Sequence, residues 1–354
     1  MFTLTAVKQL LKRNIYVELV CAAESRIHIE ANNMGLMIHP LNVSGYFHPL
    51  STIRLANLIR KNKYSLIHTQ ASKDLWLLVP SLKLAGSSAP LILTKQVGSF
   101  IIKKDILHRW IYDRVNIALA ISNIIKQNLI ETVPLREEKI LLLHNGIDIT
   151  RFNPTKVNRG EVRKELGLSE NELAIGMLAR FSPGKGHEEF LYAAKELNKS
   201  HYNLKFLVVG EASRGESEYA ESIKQLAEKY ELNNIIFTGY RSDTERILTA
   251  MNIFVFPSHS EAFGIALTEA MAMERPSVCA AADGVLDIAI DNETSLLFKP
   301  QNGDDLKEKI ELLIKAPDLR EKFGKAARQR VIANFDLEKL TERVIEIYRS
   351  AITD

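Results

Sequence analysis

The chain has 354 residues, 46% of them apolar and 25% charged, which excludes a disordered polypeptide and suits two domains of roughly 150 residues each. No apolar run reaches the roughly 18 residues that a bilayer-spanning helix needs. Net charge is +3, yet the first 150 residues carry 18 Lys/Arg against 10 Asp/Glu and the remainder 28 against 33, so the basic half suits an anionic acceptor, a membrane surface or simply a solvated face.

Met1 to Asn14 reads as a helix, and Lys8, Lys12 and Arg13 fall inside its apolar stretch, where a signal peptide would keep charges ahead of it. Strands are expected at 15–20, 65–70, 90–95, 116–122 and 139–145, alternating with helical periodicity near 49–62, 73–85, 105–114 and 123–131. Ser122 is placed to cap the last of these helices. A doubly wound domain ordinarily opens with a strand and a phosphate-binding turn; with a helix in first place, a central strand and its glycine-bearing turn are expected to be absent. The Pro- and charge-bearing stretch 148–168 reads as the passage between domains. Strands then restart at 173–180, 205–211, 234–240, 252–258 and 276–280, with helices near 187–199, 217–230, from 265, 303–315, 318–333 and 335–352. This alternation predicts α/β architecture with parallel sheets. Cys21 and Cys279 lie in different halves without metal-ligand spacing, which fits a reducing compartment and a cytoplasmic location.

Three constellations suit a ligand bearing a diphosphate. In ARFSPGKGHEEF (179–190) a strand ends at Arg180 and a Pro-Gly turn leads to Lys185, giving two cations for charged oxygens. The stretch is neither a P-loop, since Gly186 follows Lys185, nor a dinucleotide fingerprint, and no G-x-G-x-x-G elsewhere supports a nicotinamide-dependent oxidoreductase. In SHSEAFGIALTEAMAMERP (258–276) Gly264 opens a helix whose amides and dipole favour an anion. Glu261 ahead of that helix and Glu269 inside it offer acceptor oxygens for vicinal hydroxyls of a ribose or sugar. The turns GEASRGE (210–216) and TGYRSD (238–243) follow strands, so they fall on the sheet edge where open α/β folds bind ligands. Gly210, Gly239 and Tyr240 are the candidate contacts there, with backbone near Gly239 and Tyr240 able to read a nucleobase. Taken alone, the first constellation is better explained as surface cations, and ordinary turn glycines account for the third as well as a binding site does.

Together these segments resemble glycosyltransferase family 4, retaining enzymes of the GT-B fold. The resemblance rests on HNGIDITRFNP (144–154), on Arg180 with Lys185, and above all on EAFGIALTE (261–269), a Glu-x7-Glu motif. DGVLDIAIDNETSLLFKP (283–300) is similar to the stretch closing the nucleotide site, and FDLEKL (335–340) to the crossover helix. The fold implied is α/β: two Rossmann-like doubly wound domains facing a cleft, the first lacking its first strand and glycine-rich loop. The domains expected are 1–155 on the acceptor side, 156–334 for the nucleotide sugar, and a terminal helix 335–354 crossing back.

The resemblance also implies roles. Arg180 and Lys185 hold the donor diphosphate; Glu261 binds hydroxyls of the transferred sugar; Phe263, Gly264 and Ile265 present backbone to sugar and phosphate; Glu269 binds the donor ribose. Gln96, Ser122 and Asn145 are the candidate acceptor-side residues. Gln96 stands in Thr94-Lys95-Gln96, where many members place a histidine, so no titrating group is expected there. Neither His68 nor His259 supplies one: His68 reads as a packed residue at a strand end. No cofactor and no metal are expected, the chain having no Asp-x-Asp pair of the metal-bridging kind. Expected partners are a nucleotide sugar, a glycan or lipid-linked acceptor, and no nucleic acid. An anionic membrane surface is a further candidate partner through GSFIIKKDILHRWIYDR (98–114), whose apolar residues and Trp110 are interleaved with four Lys/Arg; the same stretch also reads as a helix packed on the sheet. The leading expectation is transfer of a hexose or N-acetylhexosamine in cell-surface polysaccharide or lipopolysaccharide synthesis. A catalytically impaired, nucleotide-sugar-binding relative or partner subunit is the alternative.

Overall fold

The computed structural model describes residues 2–42 and 45–353 and divides into two compact units, Met1–His144 with Glu338–Asp354, and Asn145–Leu337. The first unit runs α1 (Phe2–Leu11), β1 (Glu18–Cys21), α2 (Arg26–Asn33), β2 (Met37–Pro40), α3 (Pro49–Asn62), β3 (Ile67–Thr69), α4 (Leu75–Ala85), β4 (Leu91–Lys95), α5 (Ile106–Asp113), β5 (Ile117–Ala120), α6 (Asn123–Thr132) and β6 (Ile140–Leu142). Its strands form two parallel sheets, β1-β2 and β3-β4-β5-β6. Among the described residues β1 therefore has one neighbour, β2, and the two sheets are not joined by a strand. Ile92 and Leu119 on the inner strands pack with Ile347. His68 on β3 is held between the Tyr348 hydroxyl at 2.5 Å and the Thr94 hydroxyl at 2.8 Å. Burial pulls its imidazole down to about 4, so it is a packed, neutral residue.

The second unit contains α7 (Arg159–Glu165), β7 (Leu173–Leu178), α8 (His187–Leu197), β8 (Leu204–Val209), α9 (Ser217–Lys229), β9 (Ile235–Gly239), α10 (Thr244–Ala250), β10 (Ile253–Phe256), α11 (Ile265–Ala272), β11 (Ser277–Ala280), α12 (Val285–Ile288), β12 (Ser295–Phe298), α13 (Gly303–Lys315) and α14 (Pro317–Asn334). The last helix, α15 (Leu337–Thr353), carries the chain into the first unit. All six strands of the second sheet are parallel, in the order β12-β11-β10-β7-β8-β9. Strands such as β10 (IFVF) and β11 (SVCA) are buried throughout, as expected when helices cover both faces of a parallel sheet. The chain steps outward from β7 to β9, then returns to the other side of β7 with β10. That reversal makes the carboxyl edge between β7 and β10 a topological switch point, where such sheets bind ligands.

The opposite edge is stapled by arginines. Helix α10 ends with carbonyls that have no partner inside the helix. Arg159 donates to the carbonyls of Thr249 and, at 2.9 Å, of Met251; Arg163 donates to that of Ala250 at 2.9 Å; Arg275 donates to that of Met251 at 2.8 Å. Arg163 also reaches the carbonyls of Ser169 and Glu172 at 2.5 and 2.7 Å. Burial lowers Arg159 and Arg275 to about 10, which leaves them cationic at neutral pH beside the negative end of a helix.

Two strands absent from the expected set are β2 (MIHP) and β12 (SLLF). Each is fixed by pairing along one side with a partner strand, β1 for β2 and β11 for β12. Short helices α2, α7, α10 and α12 were likewise not expected, being one or two turns long. Replacing Arg163 by Met keeps the apolar stem but orphans the buried Ala250 carbonyl and the part-buried carbonyls of Ser169 and Glu172, at a cost of about 2 kcal/mol. Urea unfolding followed by fluorescence is expected to show a lower midpoint with little change in slope.

Candidate functional site

Five consecutive loops leave the carboxyl edge of β7, β8, β9, β10 and β11, and each contains a residue in the left-handed region: Gly184 and Gly186, Gly210, Gly239, Gly264 and Asp283. At two of them the reason is steric. A Cβ on Gly210 would lie 1.9 Å from the Ala179 carbonyl oxygen, and one on Gly186 would lie 2.3 Å from that of Pro257. The loop after β7 is thus pressed directly against the loop after β10. The His259 N–H donates to the Gly184 carbonyl at 2.9 Å, joining the same two loops.

Across this contact Lys185 and Glu261 meet, ammonium to carboxylate, at 2.5 Å, each side chain about one-fifth exposed. Glu189 and His259 pair beside them at 2.8 Å. His187 is fully buried, stacked on Phe181 at 4.6 Å, and burial together with the Lys185 charge lowers it to about 4. Arg180, exposed at the end of β7, donates to the Ser213 hydroxyl at 2.9 Å. Ser213 belongs to the loop after β8, as does Glu216, which hydroxyls of Ser182 and Ser213, with the Arg180 charge, hold below the usual carboxylate range. Arg180 and Lys185 are therefore brought to one edge but face different neighbours.

Helices α8 and α11 begin at Gly186 and Gly264, residues that have no side chain to cap them. By contrast α5, α6, α7 and α13 are capped by Asp105, Ser122, Asn158 and Asn302. Phe263 is a core side chain, 5.7 Å edge-on to Phe335, so its ring is not open to a ligand. Ile265 is the first residue of α11. The Gly239 carbonyl accepts the Gly210 N–H at 3.0 Å, and Tyr240 beside it is 53% exposed.

Glu269 lies half-buried on α11, hydrogen-bonded to Thr244 and close enough to Arg151 and Glu245 to feel both charges. Arg151 is fixed by Glu245 at 2.7 Å and by the Ser242 carbonyl at 2.7 Å. Glu261 and Glu269 consequently answer to different surroundings, a cation for one and a mixed network for the other. On the remaining candidates, Asn145 is buried at the start of the second unit. Ser122 and Gln96 belong to the first. Ser122 has no exposed surface and its hydroxyl accepts the Ile125 N–H, so it offers an acceptor nothing. Gln96 is half-buried just past β4. The residues that the sequence did not single out are the supporting ones: Ser213, Thr244, Arg151, Glu245, Ser260 and Asp283. Arg151, Ser213, Ser260 and Asp283 lie inside the stretches 144–154, 210–216, 258–276 and 283–300 that the sequence marks, and Thr244 and Glu245 directly follow 238–243.

Comparison with known proteins gives the family and the fold. The family model described as "Glycosyl transferases group 1" matches residues 158–330, and that described as "Glycosyltransferase Family 4" matches residues 1–151. The chain is 30% identical to the capsular polysaccharide biosynthesis glycosyltransferase CapM of Staphylococcus aureus over 67% of its own length and 62% of that protein's. It is 25% identical, over 84% of its length and 78% of the relative's, to the UDP-Gal:alpha-D-GlcNAc-diphosphoundecaprenol alpha-1,3-galactosyltransferase of Escherichia coli. In fold it resembles the glycosyltransferase from Rickettsia africae ESF-5, with a TM-score of 0.90, 23% identity and coverage of 99% and 94% of the two chains. It also resembles Anabaena Alr3699/HepE in complex with UDP and glucose, with a TM-score of 0.81, 20% identity and coverage of 98% and 95%. The architecture is thus the two-domain α/β GT-B fold.

Burial raises the Glu269 carboxyl to about 7; the neighbouring Glu245 adds to the shift, and Arg151 and the Thr244 hydrogen bond oppose it. A carboxyl whose folded pKa lies above its unfolded value holds its proton more tightly in the native state. Its contribution to stability is therefore fully present below the unfolded pKa and disappears as pH rises through about 7. Glu269→Gln, which cannot ionise, is expected to raise the thermal midpoint relative to the parent at pH 8 and to lose that advantage toward pH 4.5. Calorimetry across that range checks it; a difference independent of pH would show that Glu269 is not the titrating group.

Proposed function

The chain belongs to the family 4, group 1 glycosyltransferases, and we propose that it moves a hexose or N-acetylhexosamine, with retention, from a nucleotide-diphosphate sugar to a glycan or lipid-linked acceptor of cell-surface polysaccharide or lipopolysaccharide. One observation carries the reading: Lys185 and Glu261 converge at the switch point beside the glycine-started helix α11. That grouping matches the needs of the chemistry. A departing nucleoside diphosphate gathers negative charge, and a pre-placed ammonium, a guanidinium and helix amides stabilise that charge most in the transition state. In this reading Lys185 and Arg180 face the diphosphate, Glu261 accepts hydrogen bonds from the sugar, and Glu269 accepts them from the ribose. Gly210, Gly239 and Tyr240 frame the base, with Gln96 and Asn145 toward the acceptor. The positive charge that other enzymes draw from a metal is assigned here to these side chains. Retention follows if the acceptor attacks from the face the diphosphate leaves, with a phosphate oxygen taking its proton. UDP-sugars are the first donors to test, because the Anabaena neighbour was solved with UDP and glucose and the Escherichia coli relative is named for UDP-Gal.

A membrane surface is proposed as the second partner. No helix among the described residues is long and apolar enough to cross a bilayer. The first unit nevertheless displays Phe100, Ile101, Ile102, Ile106 and Leu107, with Phe100 fully exposed and Ile106 at 83%. Phe47 and Leu50 are equally bare, and Tyr46 reaches Trp76 at 5.8 Å, which in turn meets His108 of α5 at 5.3 Å. Lys103, Lys104 and Arg109 supply the cations that an anionic interface attracts. In this reading the protein is cytoplasmic and peripheral at the membrane's inner face.

Two measurements test these proposals. Purified protein with UDP-glucose or UDP-galactose is expected to release UDP, and Lys185→Ala and Glu269→Ala are each expected to lower the rate about tenfold or more. Unchanged rates in both variants would discard the site, whereas UDP binding without turnover across donors and acceptors would favour a non-catalytic, nucleotide-sugar-binding role. Separately, Phe100→Ser with Ile106→Ser is expected to abolish sedimentation with phosphatidylglycerol vesicles. Equal sedimentation of parent and variant would remove the membrane from the proposal.

A further inference from the structure

The loop carrying Glu261 is held from two sides, and only one of them involves residues already given a role. On the β7 side lie Lys185 and the Gly184 carbonyl. On the β11 side lies the turn Asp283-Gly284. The Asp283 carboxylate accepts the Ser260 hydroxyl. The next residue, Gly284, donates its N–H to the Glu261 carbonyl at 2.9 Å. The fit is tight: a Cβ on Gly284 would lie 2.4 Å from the Ala262 carbonyl oxygen and 2.8 Å from the Phe263 Cα.

This turn is itself constrained. Asp283 has φ +47°, a left-handed conformation that Asp and Asn tolerate better than other residues with a side chain and that persists where the surroundings hold it. Helix α12 follows at once, and Arg330 of α14 anchors it by donating to the carbonyls of Asp287 and Ile288 at 2.8 and 2.6 Å. A chain of fixed contacts therefore runs from α14 through α12 and Asp283 to Ser260, the residue next to Glu261.

We infer that Asp283 is a positioning residue for Glu261, acting through the Ser260 hydroxyl to fix the backbone from which the Glu261 carboxylate reaches toward the sugar; this rests on the donor-site reading above. Asp283 carries out no step itself. Removing its carboxylate frees Ser260 and widens the range of positions open to Glu261, while Lys185 and the helix amides that face the diphosphate stay in place. The sugar end of the donor should feel the change and the diphosphate end should not.

The test compares Asp283→Ala, Asp283→Asn and Ser260→Ala by KM and kcat for UDP-glucose or UDP-galactose, whichever the parent turns over, and by inhibition with UDP alone. Asp283→Ala and Ser260→Ala are each expected to weaken use of the sugar donor by about tenfold, a size consistent with small misplacements in active sites. Inhibition by UDP should stay within twofold of the parent's. Asp283→Asn, which keeps an acceptor for Ser260 and tolerates the same φ, should recover most of the loss, and the Ser260→Ala/Asp283→Ala double variant should be no worse than either single one. Parent-like sugar kinetics in both single alanine variants overturn the inference. So does a parallel loss of UDP inhibition, which marks a collapsed loop and not a displaced carboxylate. If Lys185→Ala and Glu269→Ala are themselves silent, the donor-site reading has failed first and on separate evidence.

Discussion

The arrangement depends on one close approach, that of the loop after β7 to the loop after β10. β7 and β10 are hydrogen-bonded neighbours, but their following helices diverge: α8 packs with α9 and α13, and α11 with α10, α12 and α14. The two loops therefore start side by side and lead to helices in different layers. They can touch only because residue 186 has no side chain to strike the Pro257 carbonyl. The pairings of Lys185 with Glu261 and of Glu189 with His259 follow from that contact. Lys185 precedes Gly186 by one residue and Glu261 follows Pro257 by four, so both side chains fall over the junction.

Without a ligand the edge satisfies itself. Lys185 has Glu261, Arg180 has Ser213, and Glu269 has Thr244 within reach of Arg151. In the function proposed here, a diphosphate sugar entering this edge exchanges partners and does not fill empty valences. Such an exchange trades one charge-assisted contact of the one-fifth-exposed Lys185 side chain for another of the same kind. Ground-state affinity thus gains little from Lys185, which leaves its charge to act mainly where negative charge develops on the leaving group. Separation of Lys185 from Glu261 by the donor also frees the carboxylate for hydroxyls.

How much of this could be read from the sequence varied with the physics behind each feature. The longer helices and the strands β3 to β11 follow from apolar periodicity, and Pro49–Asn62 was bounded by its own proline and by the basic residues that end it. Strands β2 and β12 were not read from the sequence, and each is completed by the backbone of one neighbour. The glycine at 264 and the residues Glu261 and Glu269 stood out because spacing and residue type alone suggest a helix tip with acceptors. Ser260, Asp283, Thr244 and Arg151 did not, because each gains meaning only from a residue 23 or more positions away or from a charge network across elements. The separation of the first unit's strands into two sheets is a fact of long-range pairing, and the helical reading of its opening residues anticipated it only indirectly.

The second unit's sheet also divides its resources between its two edges. At the amino edge, buried guanidinium groups of Arg159, Arg163 and Arg275 donate to main-chain carbonyls, closing the end of α10 and tying it to its surroundings. At the carboxyl edge, left-handed residues occur in five successive loops, and α8 and α11 start without side-chain caps. Uncapped helix amides, and a left-handed residue that carries a side chain such as Asp283, each lower stability by a modest amount. They are tolerated where a rigid sheet and a saturated opposite edge hold the loops in register. The same features give a ligand direct access to backbone N–H groups at short range, which capped helix ends and extended loops would deny. Left-handed residues also occur in loops at the amino edge, Gly167, Glu231, Glu274 and Asn292 among them, so the carboxyl edge is distinguished by its glycines, which let backbone approach backbone.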